Sequence, residues 1–151
     1  MQVRPARAGD AGPLAVRYRD NRDHLAPFEP VRDEELFTAC GRLAGRITVT
    51  DVARGLFCSA SLGYWIAADR TGRGLATHAV RTVLDDCFIT HRLHRLEAGT
   101  LVDDLASPAV LRRTGFTIID RAPDYLRIAG RWRDHLLFQR IAEDPATSPG
   151  T

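Results

Sequence analysis

Two stretches near the middle of the chain alternate between apolar and polar residues, as β-strands do. Over residues 46–52, Ile47 and Val49 alternate with polar residues, which predicts a half-buried strand. Residues 57–66 predict a second strand, rich in aromatic and aliphatic side chains. Because only a short turn at residues 53–55 separates the two strands, they should pair antiparallel.

Apolar residues at helical spacing follow the second strand. They predict the most regular helix of the chain, with its apolar positions at Ala76, Ala79, Val80, Val83, Leu84, Cys87 and Phe88. Residues 12–23 predict an earlier helix. Another helix could start at residues 33–37, where Gly41 and Gly45 would cut it short.

One short helix is predicted in the last third of the chain, after a strand at residues 93–101. Ser107 suits its N-cap, and Pro108 suits its first helical position. Gly115 stands where a left-handed glycine commonly follows the last turn of a helix.

The chain closes with β structure. We predict a strand at residues 116–119 and a hairpin over residues 125–141 that turns at Ala129 and Gly130. The order of elements, with an antiparallel pair before the main helix, indicates a mixed α+β fold.

The composition is that of one globular domain. The chain has 151 residues, 44% of them hydrophobic and 26% charged, which suffices for a core. No apolar run approaches the ~18 residues of a membrane span, so no membrane partner is expected. We predict a single domain over residues 1–142 and a flexible tail over residues 143–151.

Charge is spread evenly along the chain. All 21 basic residues are arginine, lysine is absent, and the net charge is +2. A nucleic-acid-binding protein usually has a basic block, so no nucleic-acid partner is expected.

The three cysteines, Cys40, Cys58 and Cys87, are widely spaced and form no C-x-x-C motif. This spacing predicts that the cysteines are small core residues of a protein in a reducing compartment. The N-terminus lacks the apolar segment of a signal peptide, so we expect a cytoplasmic location. His91 and His94 have no third ligand nearby in the sequence, and no metal is expected.

The sharpest local feature is the glycine turn before the main helix, Arg70-Thr71-Gly72-Arg73-Gly74-Leu75-Ala76. Such a turn leaves N–H groups unpaired at the start of a helix, where the helix dipole adds partial positive charge. Both favour a phosphate ligand, which Arg70 or Arg73 could reach with its side chain. The alternative is a plain connection that binds nothing.

Three phosphate-binding motifs compete for this turn. A P-loop needs a lysine, which the chain lacks. A dinucleotide-binding fingerprint needs Gly or Ala where Thr77 stands, and a parallel strand where an antiparallel one is predicted. The acyl-CoA turn of GNAT acetyltransferases, (Q/R)-x-x-G-x-(G/A), fits in five of six positions, with Thr71 in place of Gln or Arg.

Four segments resemble parts of that family, in the same order. Residues 62–66 resemble the strand that opens to receive pantetheine, and residues 93–98 resemble the next strand. Residues 103–116, D-D-L-A-S-P-A-V-L-R-R-T-G-F, resemble the family segment D-N-x-x-S-x-x-V-L-E-K-x-G-F, and residues 125–135 resemble its closing hairpin. The chain is thus similar to the GNAT superfamily, and within it to the RimJ/RimL branch of ribosomal-protein-alanine N-acetyltransferases. Residues 1–50 match only loosely.

The resemblance implies a fold, a reaction and a binding site. The fold is a central mixed, mostly antiparallel sheet flanked by helices, with the acyl-CoA turn between a strand and the main helix. In the reaction, a primary amine attacks the thioester of the co-substrate acetyl-CoA directly. The implied acetyl-CoA contacts are Tyr64, Trp65, Ile66, Arg70, Thr71, Gly72, Arg73, Gly74, Leu75, Ala76, Thr77, Asp104 and Ser107.

Two residues are candidates for catalysis by resemblance. Ser107 would bind or protonate the departing thiol, or it only caps the helix before Pro108. Glu97 would act as the base, directly or through a water, or it is a solvent-facing strand residue in an ion pair and no protein group is the base. A backbone N–H between Tyr64 and Ile66 would stabilise the developing oxyanion.

The chain also departs from the family pattern. Thr71 removes a long side chain from the turn, and Asp104 puts a carboxylate where the family has an asparagine amide that contacts CoA. Leu111 takes the place of an acid tyrosine found in other GNAT branches, as is normal for RimJ/RimL. On the order of 20 residues, a helix and a strand before residue 46, are expected to be missing.

The resemblance leaves the acceptor open. It is either a protein N-terminal amine or a small-molecule amine, because one fold serves many substrates. The alternative to an enzyme is a non-catalytic GNAT-like module that binds CoA or a protein partner. If an edge of the sheet is uncovered, a second copy could pair there as a homodimer.

Overall fold

The computed structural model describes residues 2–26, 35–39 and 42–143. Cys40 and all of the predicted tail except Glu143 lie outside these residues. The described residues form seven strands and four α-helices: β1 Gln2–Pro5, α1 Ala11–Asp20, α2 Arg22–Leu25, β2 Glu35–Ala39, β3 Arg42–Ala53, β4 Ser59–Ile66, α3 Leu75–Asp85, β5 Arg95–Leu101, α4 Ala106–Arg113, β6 Thr117–Ile128 and β7 Arg131–Ile141.

The strands of the described chain form one sheet in the order β1-β2-β3-β4-β5-β7-β6. All neighbouring strands in it are antiparallel except β4 and β5, which are parallel. The parallel pairing covers only three residue pairs, from Ser59 with Arg95 to Ser61 with Glu97. Beyond Ser61 the two strands pair only with their outer neighbours, so a gap opens in the middle of the sheet.

The main core lies on the face of the sheet that α3 covers. Helix α3 is amphipathic, and its buried residues Val80, Val83 and Leu84 pack in one cluster with Leu96 and Phe138 of the sheet. Cys87, in the π-helical turn that follows α3, is buried in the same cluster, as the sequence predicted, whereas Cys58, also predicted to be a core residue, is only partly buried. This packing fixes the start of α3 beside the end of β4.

Helix α1 covers the opposite face, but only near β3 and the end of β4. Leu14 of α1 packs with Leu43, and Tyr18 and Trp65 pack against this pair. The Arg17 guanidinium also donates from Nε to the carbonyl oxygen of Leu43 at 2.8 Å. The rest of this face, over β5 and β7, has no helix among the described residues.

Helix α4 ends at a glycine, as predicted. Gly115 has a φ of +85° and follows the cap residue Thr114. Its N–H donates to the oxygen of Arg112, and the N–H of Phe116 donates to that of Leu111, which is the Schellman arrangement. The sharp stop turns the chain directly into β6.

Several local predictions are confirmed and two are wrong. Strands β3 and β4 pair antiparallel, and the closing hairpin turns at Ala129 and Gly130, which have φ values of +49° and +79°. A helix starting at residues 33–37 is wrong from Glu35 on, because residues 35–39 form β2 between β1 and β3. The strand that was expected to be missing before residue 46 is therefore present as β2. Helix α2 consists of a single turn.

The second error concerns the start of α4. Ser107 was expected to be its N-cap and Pro108 its first residue, but the helix begins two residues earlier, at Ala106, and Leu105 occupies the cap position. Oδ1 of Asp104 accepts from the N–H of Ala106 at 2.8 Å and from that of Ser107 at 3.2 Å. A carboxylate two residues before the helix therefore satisfies the first amides, and the Ser107 hydroxyl is not used for capping.

Candidate functional site

A cleft of about 960 Å³ runs through the gap between β4 and β5. It is lined by the glycine turn, by the starts of α3 and α4, and by residues of α1, α2 and strands β3 to β7. Every site residue predicted from the sequence lines this cleft except Arg73. The structure therefore brings distant segments of the chain together at one opening that can be reached from both faces of the sheet.

The glycine turn forms the first wall of the cleft. Gly72 and Gly74 have φ values of +72° and +71°, and no atom lies within 4 Å of a Cβ built on either. The left-handed Gly74 is the N-cap of α3, so the first amides of the helix have no partner within it. An anionic group can therefore approach the helix start closely.

The side chains of the turn contribute unequally. Thr71 donates its hydroxyl to the oxygen of Ala68 at 3.0 Å, which holds the turn rather than a ligand. Arg70 lines the cleft, with its Nε 3.5 Å from a carboxylate oxygen of Asp69. The turn thus offers backbone amides and one arginine, and its backbone does not need the long side chain that Thr71 replaces.

Tyr64 links the two sides of the cleft. Its phenol donates to the backbone oxygen of Ser107 at 3.1 Å, from β4 across to α4. Burial is the main cause that raises the pKa of Tyr64 well above its ordinary value, and the nearby Asp104 carboxylate adds to it. The phenol therefore stays protonated and holds the N-terminal turn of α4 against the edge of β4.

Glu97 lies where the parallel pairing ends. Its side chain faces away from the core cluster and is about half exposed, 50%. The Arg95 guanidinium lies 3.8 Å from its carboxylate and also donates to the Gln139 amide oxygen at 2.6 Å. Glu97 lines the cleft, but its surroundings are those of a solvent-facing ion pair.

A buried polar group lines the cleft next to α1. Arg46 is only 3% exposed, and its guanidinium donates to the Tyr18 hydroxyl and lies over the Tyr18 ring. Trp65 donates to the same hydroxyl from Nε1 at 3.1 Å. These contacts tie α1 to β3 and β4, and they fix one border of the cleft.

The opposite border contains a histidine that the sequence analysis did not assign. His135 of β7 and Tyr125 of β6 stack with ring centroids 5.5 Å apart, beside Gly99 and Leu137. The neighbouring Asp134 points away, and its carboxylate binds Arg121 and the N–H of Asp124. The signal in the sequence was the alternation along β7, which puts His135 on the face opposite Phe138.

Two further pairs of side chains, each with a basic and an acidic member, involve residues outside the cleft lining. Arg133 pairs with Asp103 at 2.6 Å, and His91 pairs with Asp86 at 3.3 Å. Among the described residues, no group of three His, Cys, Asp or Glu side chains has the arrangement of a metal site. No helix in the described part of the chain is both long and apolar enough to cross a membrane.

The geometry suits two ligands that meet within the sheet. An anionic, elongated ligand can place its phosphates at the glycine turn and pass an arm through the gap, where the inner edges of β4 and β5 have no strand partner. A second ligand can approach from the opposite face, between the Arg46 border and the His135 border. The two would meet near Gly63 and Gly99.

Known proteins are similar to this chain in both sequence and fold. The sequence profile of the acetyltransferase (GNAT) domain matches residues 1–117. The [Ribosomal protein uS5]-alanine N-acetyltransferase of Escherichia coli (strain K12) is 31% identical over 91% of this chain and 85% of its own length. The probable N-acetyltransferase YjcK of Bacillus subtilis (strain 168) is 29% identical over 95% of each chain.

Solved structures agree. Mycobacterium smegmatis RimJ in complex with CoA-disulfide superposes with a TM-score of 0.89 at 32% identity, covering 97% of this chain and 84% of that one. The ribosomal-protein-S5-alanine acetyltransferase from Vibrio fischeri superposes with a TM-score of 0.88 at 27% identity, covering 95% and 93%.

Proposed function

Because the chain belongs to the GNAT acetyltransferase family, we propose that it transfers the acetyl group of acetyl-CoA to the α-amino group at a protein N-terminus. The observation that carries the proposal is the gap between β4 and β5, which connects the anion-binding turn to the opposite face of the sheet. The Escherichia coli relative that acts on a ribosomal-protein alanine supports the choice of acceptor.

The residues of the cleft fit acetyl-CoA. The two glycines leave an open cradle that Cβ atoms would narrow, and the amides at the start of α3 with Arg70 would hold the phosphates. The edge of β4 from Leu62 to Ile66 faces the gap without a partner in β5 and would bind the amide groups of the pantetheine arm as a neighbouring strand does. Bound there, acetyl-CoA supplies an activated thioester.

The acceptor amine attacks the thioester carbon from the opposite face. An α-amino group has a pKa of about 8, so its neutral form is readily available near neutral pH. Holding both substrates in one cleft makes the step effectively unimolecular. A backbone N–H on the gap side of β4 would stabilise negative charge on the thioester oxygen. The negative charges of Asp51 and Glu97 in the cleft lining favour the approach of an amine.

We propose that Ser107 assists the leaving group. Its N–H and its carbonyl oxygen are both engaged, with Asp104 and Tyr64, and the residue lines the cleft. We assign to this hydroxyl the donation of a proton or a hydrogen bond to the departing thiolate. A thiol has a pKa of about 8.5, so only a weak acid is needed.

Two measurements test the proposed function. Isothermal titration of the protein with acetyl-CoA should show binding, and release of free thiol should follow when a peptide with a free N-terminus is added. The matched control is the same peptide with a blocked N-terminus, and spermidine tests a small-molecule acceptor. Binding without turnover on any amine would identify a non-catalytic module, and absence of binding would contradict the proposal entirely.

The first prediction concerns Asp104, the carboxylate at the start of α4. Asp104→Asn should bind acetyl-CoA about fivefold more tightly, ~1 kcal/mol, because it removes a negative charge beside an anionic ligand and adds an amide donor. Stability should change by less than about 0.5 kcal/mol, since the amide oxygen can still accept from Ala106 and Ser107. Calorimetric titration and urea unfolding measure the two effects.

Asp103 offers a matched control for this prediction. It is the adjacent acidic residue, it pairs with Arg133, and it is not part of the cleft lining. Asp103→Asn should leave acetyl-CoA binding unchanged. Equal gains from both variants would show that only the overall charge matters and would contradict the placement of Asp104 at the ligand.

A further inference from the structure

Two histidines line the cleft: His24 of α2, which is exposed, and His135 of β7, which is buried. His135 is only 3% exposed, and its Nδ1 lies 2.9 Å from the backbone oxygen of Arg133. A carbonyl oxygen can only accept a hydrogen bond, so Nδ1 carries a proton and donates it. In the neutral ring, the lone pair is therefore on Nε2.

The Nε2 edge of this ring faces Gly99. Cδ2, the ring atom bonded to Cγ and Nε2, lies 3.6 Å from the position that a Cβ would take on Gly99. Leu137 and Tyr125 border the same position at 3.8 and 3.9 Å, and all four residues line the cleft. No side chain or backbone group among the described residues hydrogen-bonds to Nε2. The missing side chain of Gly99 leaves room beside that edge.

Glu97 is less suited to accept a proton in this cleft. It is half exposed, and its carboxylate forms an ion pair with the Arg95 guanidinium at the solvent-facing side of the strand. His135, in contrast, is shielded from bulk water and has its tautomer fixed by the backbone. A general base works best when its affinity for the proton is close to the working pH, and imidazole is the side chain with that property.

We propose that Nε2 of His135 is the base that accepts the proton of the acceptor amine. The inference rests on the proposed function and deepens it. The amine nitrogen forms a bond to the thioester carbon, and one N–H proton passes to Nε2. The carbon–sulfur bond breaks, its electron pair leaves with the CoA thiolate, and the thiolate takes a proton from water, or from Ser107, which water then reprotonates. The imidazolium then returns its proton to solvent, so the enzyme is unchanged.

Few other titratable groups surround the ring. From β6, Tyr125 stacks on it, and from β5, Glu97 lines the same cleft farther along the strand. On β7 itself, the Asp134 carboxylate is held by Arg121 and by the backbone of Asp124 on the other face. Hydrogen bonds from the backbone of Asp124 and from Arg121, with smaller contributions from the charges of Arg121 and His135, lower the pKa of Asp134, so its carboxylate stays ionised near neutral pH.

The test compares two replacements of the ring. His135→Asn keeps an N–H that can donate to Arg133 O and removes Nε2, so kcat should fall about 100-fold or more. Acetyl-CoA affinity should stay within about twofold of the wild type, because the cradle is on the other side of the sheet. Asp103→Asn, at an acidic residue outside the cleft lining, is the control and should retain the wild-type kcat.

Two further readouts separate a base from a packing role. The pH profile of kcat should differ between the wild type and His135→Asn, because the variant lacks the proton-accepting nitrogen and keeps only the dependence caused by the acceptor amine. Imidazole added to His135→Ala should restore part of the rate in proportion to its concentration, because the substitution leaves a space of the same shape.

The outcomes distinguish this inference from the proposed function. If the wild type acetylates an amine and His135→Asn retains kcat within about threefold, the role of His135 is wrong and the proposed function stands. If Glu97→Gln lowers kcat and His135→Asn does not, the base is Glu97. A wild type that acetylates no amine contradicts the proposed function and with it any base.

Discussion

Gly74→Asp is expected to weaken acetyl-CoA binding by at least about 100-fold, ~2.7 kcal/mol. Gly74 caps α3 in the left-handed conformation, with φ of +71° and nothing within 4 Å of a built Cβ. A carboxylate there would occupy the space in which a phosphate meets the first amides of the helix, and its charge would repel the ligand. Calorimetric titration with acetyl-CoA measures the loss.

Gly55 provides the matched control. It lies in the turn between β3 and β4, has a φ of +73°, and likewise has nothing within 4 Å of a built Cβ. Gly55→Asp therefore introduces the same charge and a similar backbone strain, about 1 kcal/mol of unfolding free energy, away from the cleft. It should bind acetyl-CoA like the wild type. If both variants bind normally, the glycine turn is not the phosphate site.

The largest loss of stability is expected from Phe138→Ala, about 3–5 kcal/mol in the free energy of unfolding. Phe138 is fully buried, 0% exposed, on β7 between Ala98 of β5 and Ile118 of β6. Removing its ring leaves a cavity in the cluster that joins α3 to the sheet. Urea unfolding followed by circular dichroism measures the change.

A second aromatic residue on the same strand is the control. Trp132 lies near the hairpin turn and is 61% exposed, so Trp132→Ala should cost less than about 1 kcal/mol. Both variants remove a large aromatic side chain from β7, and they differ in burial. Similar losses for the two would mean that the core does not lie on the α3 face of the sheet.

The elements that the sequence predicted well are those specified by their own residues. The alternation around Ile47 and the helical spacing before Cys87 are local patterns, and the hairpin needs only two adjacent positive φ values. The resemblance to the RimJ/RimL branch of the GNAT family, which rests on motifs of a few residues, is confirmed by the comparisons.

The elements that were missed depend on distant partners. Strand β2 has acidic residues at its start and reads as the beginning of a helix, but it pairs with β1 and β3. Strand β1 has only four residues and ends in a proline, which gives almost no pattern. The helix starts at Ala106 instead of Pro108 because the Asp104 carboxylate accepts from the N–H of Ala106.

The site was predicted in part for the same reason. The glycine turn is contiguous, so its residues could be read directly. Whether a strand residue faces the cleft depends on where β4 and β5 separate and on the irregular pairing of β6 between Ala122 and Leu126. The sequence pair Asp134-His135 was suggestive of catalysis, but it was interpreted as a pair at the border of a strand. The catalytic role of Glu97, the cytoplasmic location and the homodimer stay predictions.

The short parallel pairing has a thermodynamic consequence. Strands β1–β4 and β5–β7 of the described sheet are joined by only three residue pairs, and the unpaired edges beyond them belong to the cleft. A ligand that lies between these edges acts as an additional strand of the folded state and has no equivalent site in the unfolded chain. Occupancy therefore adds to stability by mass action, by ~2.7 kcal/mol when the free ligand is at 100 times its Kd. The melting temperature of this protein should therefore rise with the concentration of free acetyl-CoA.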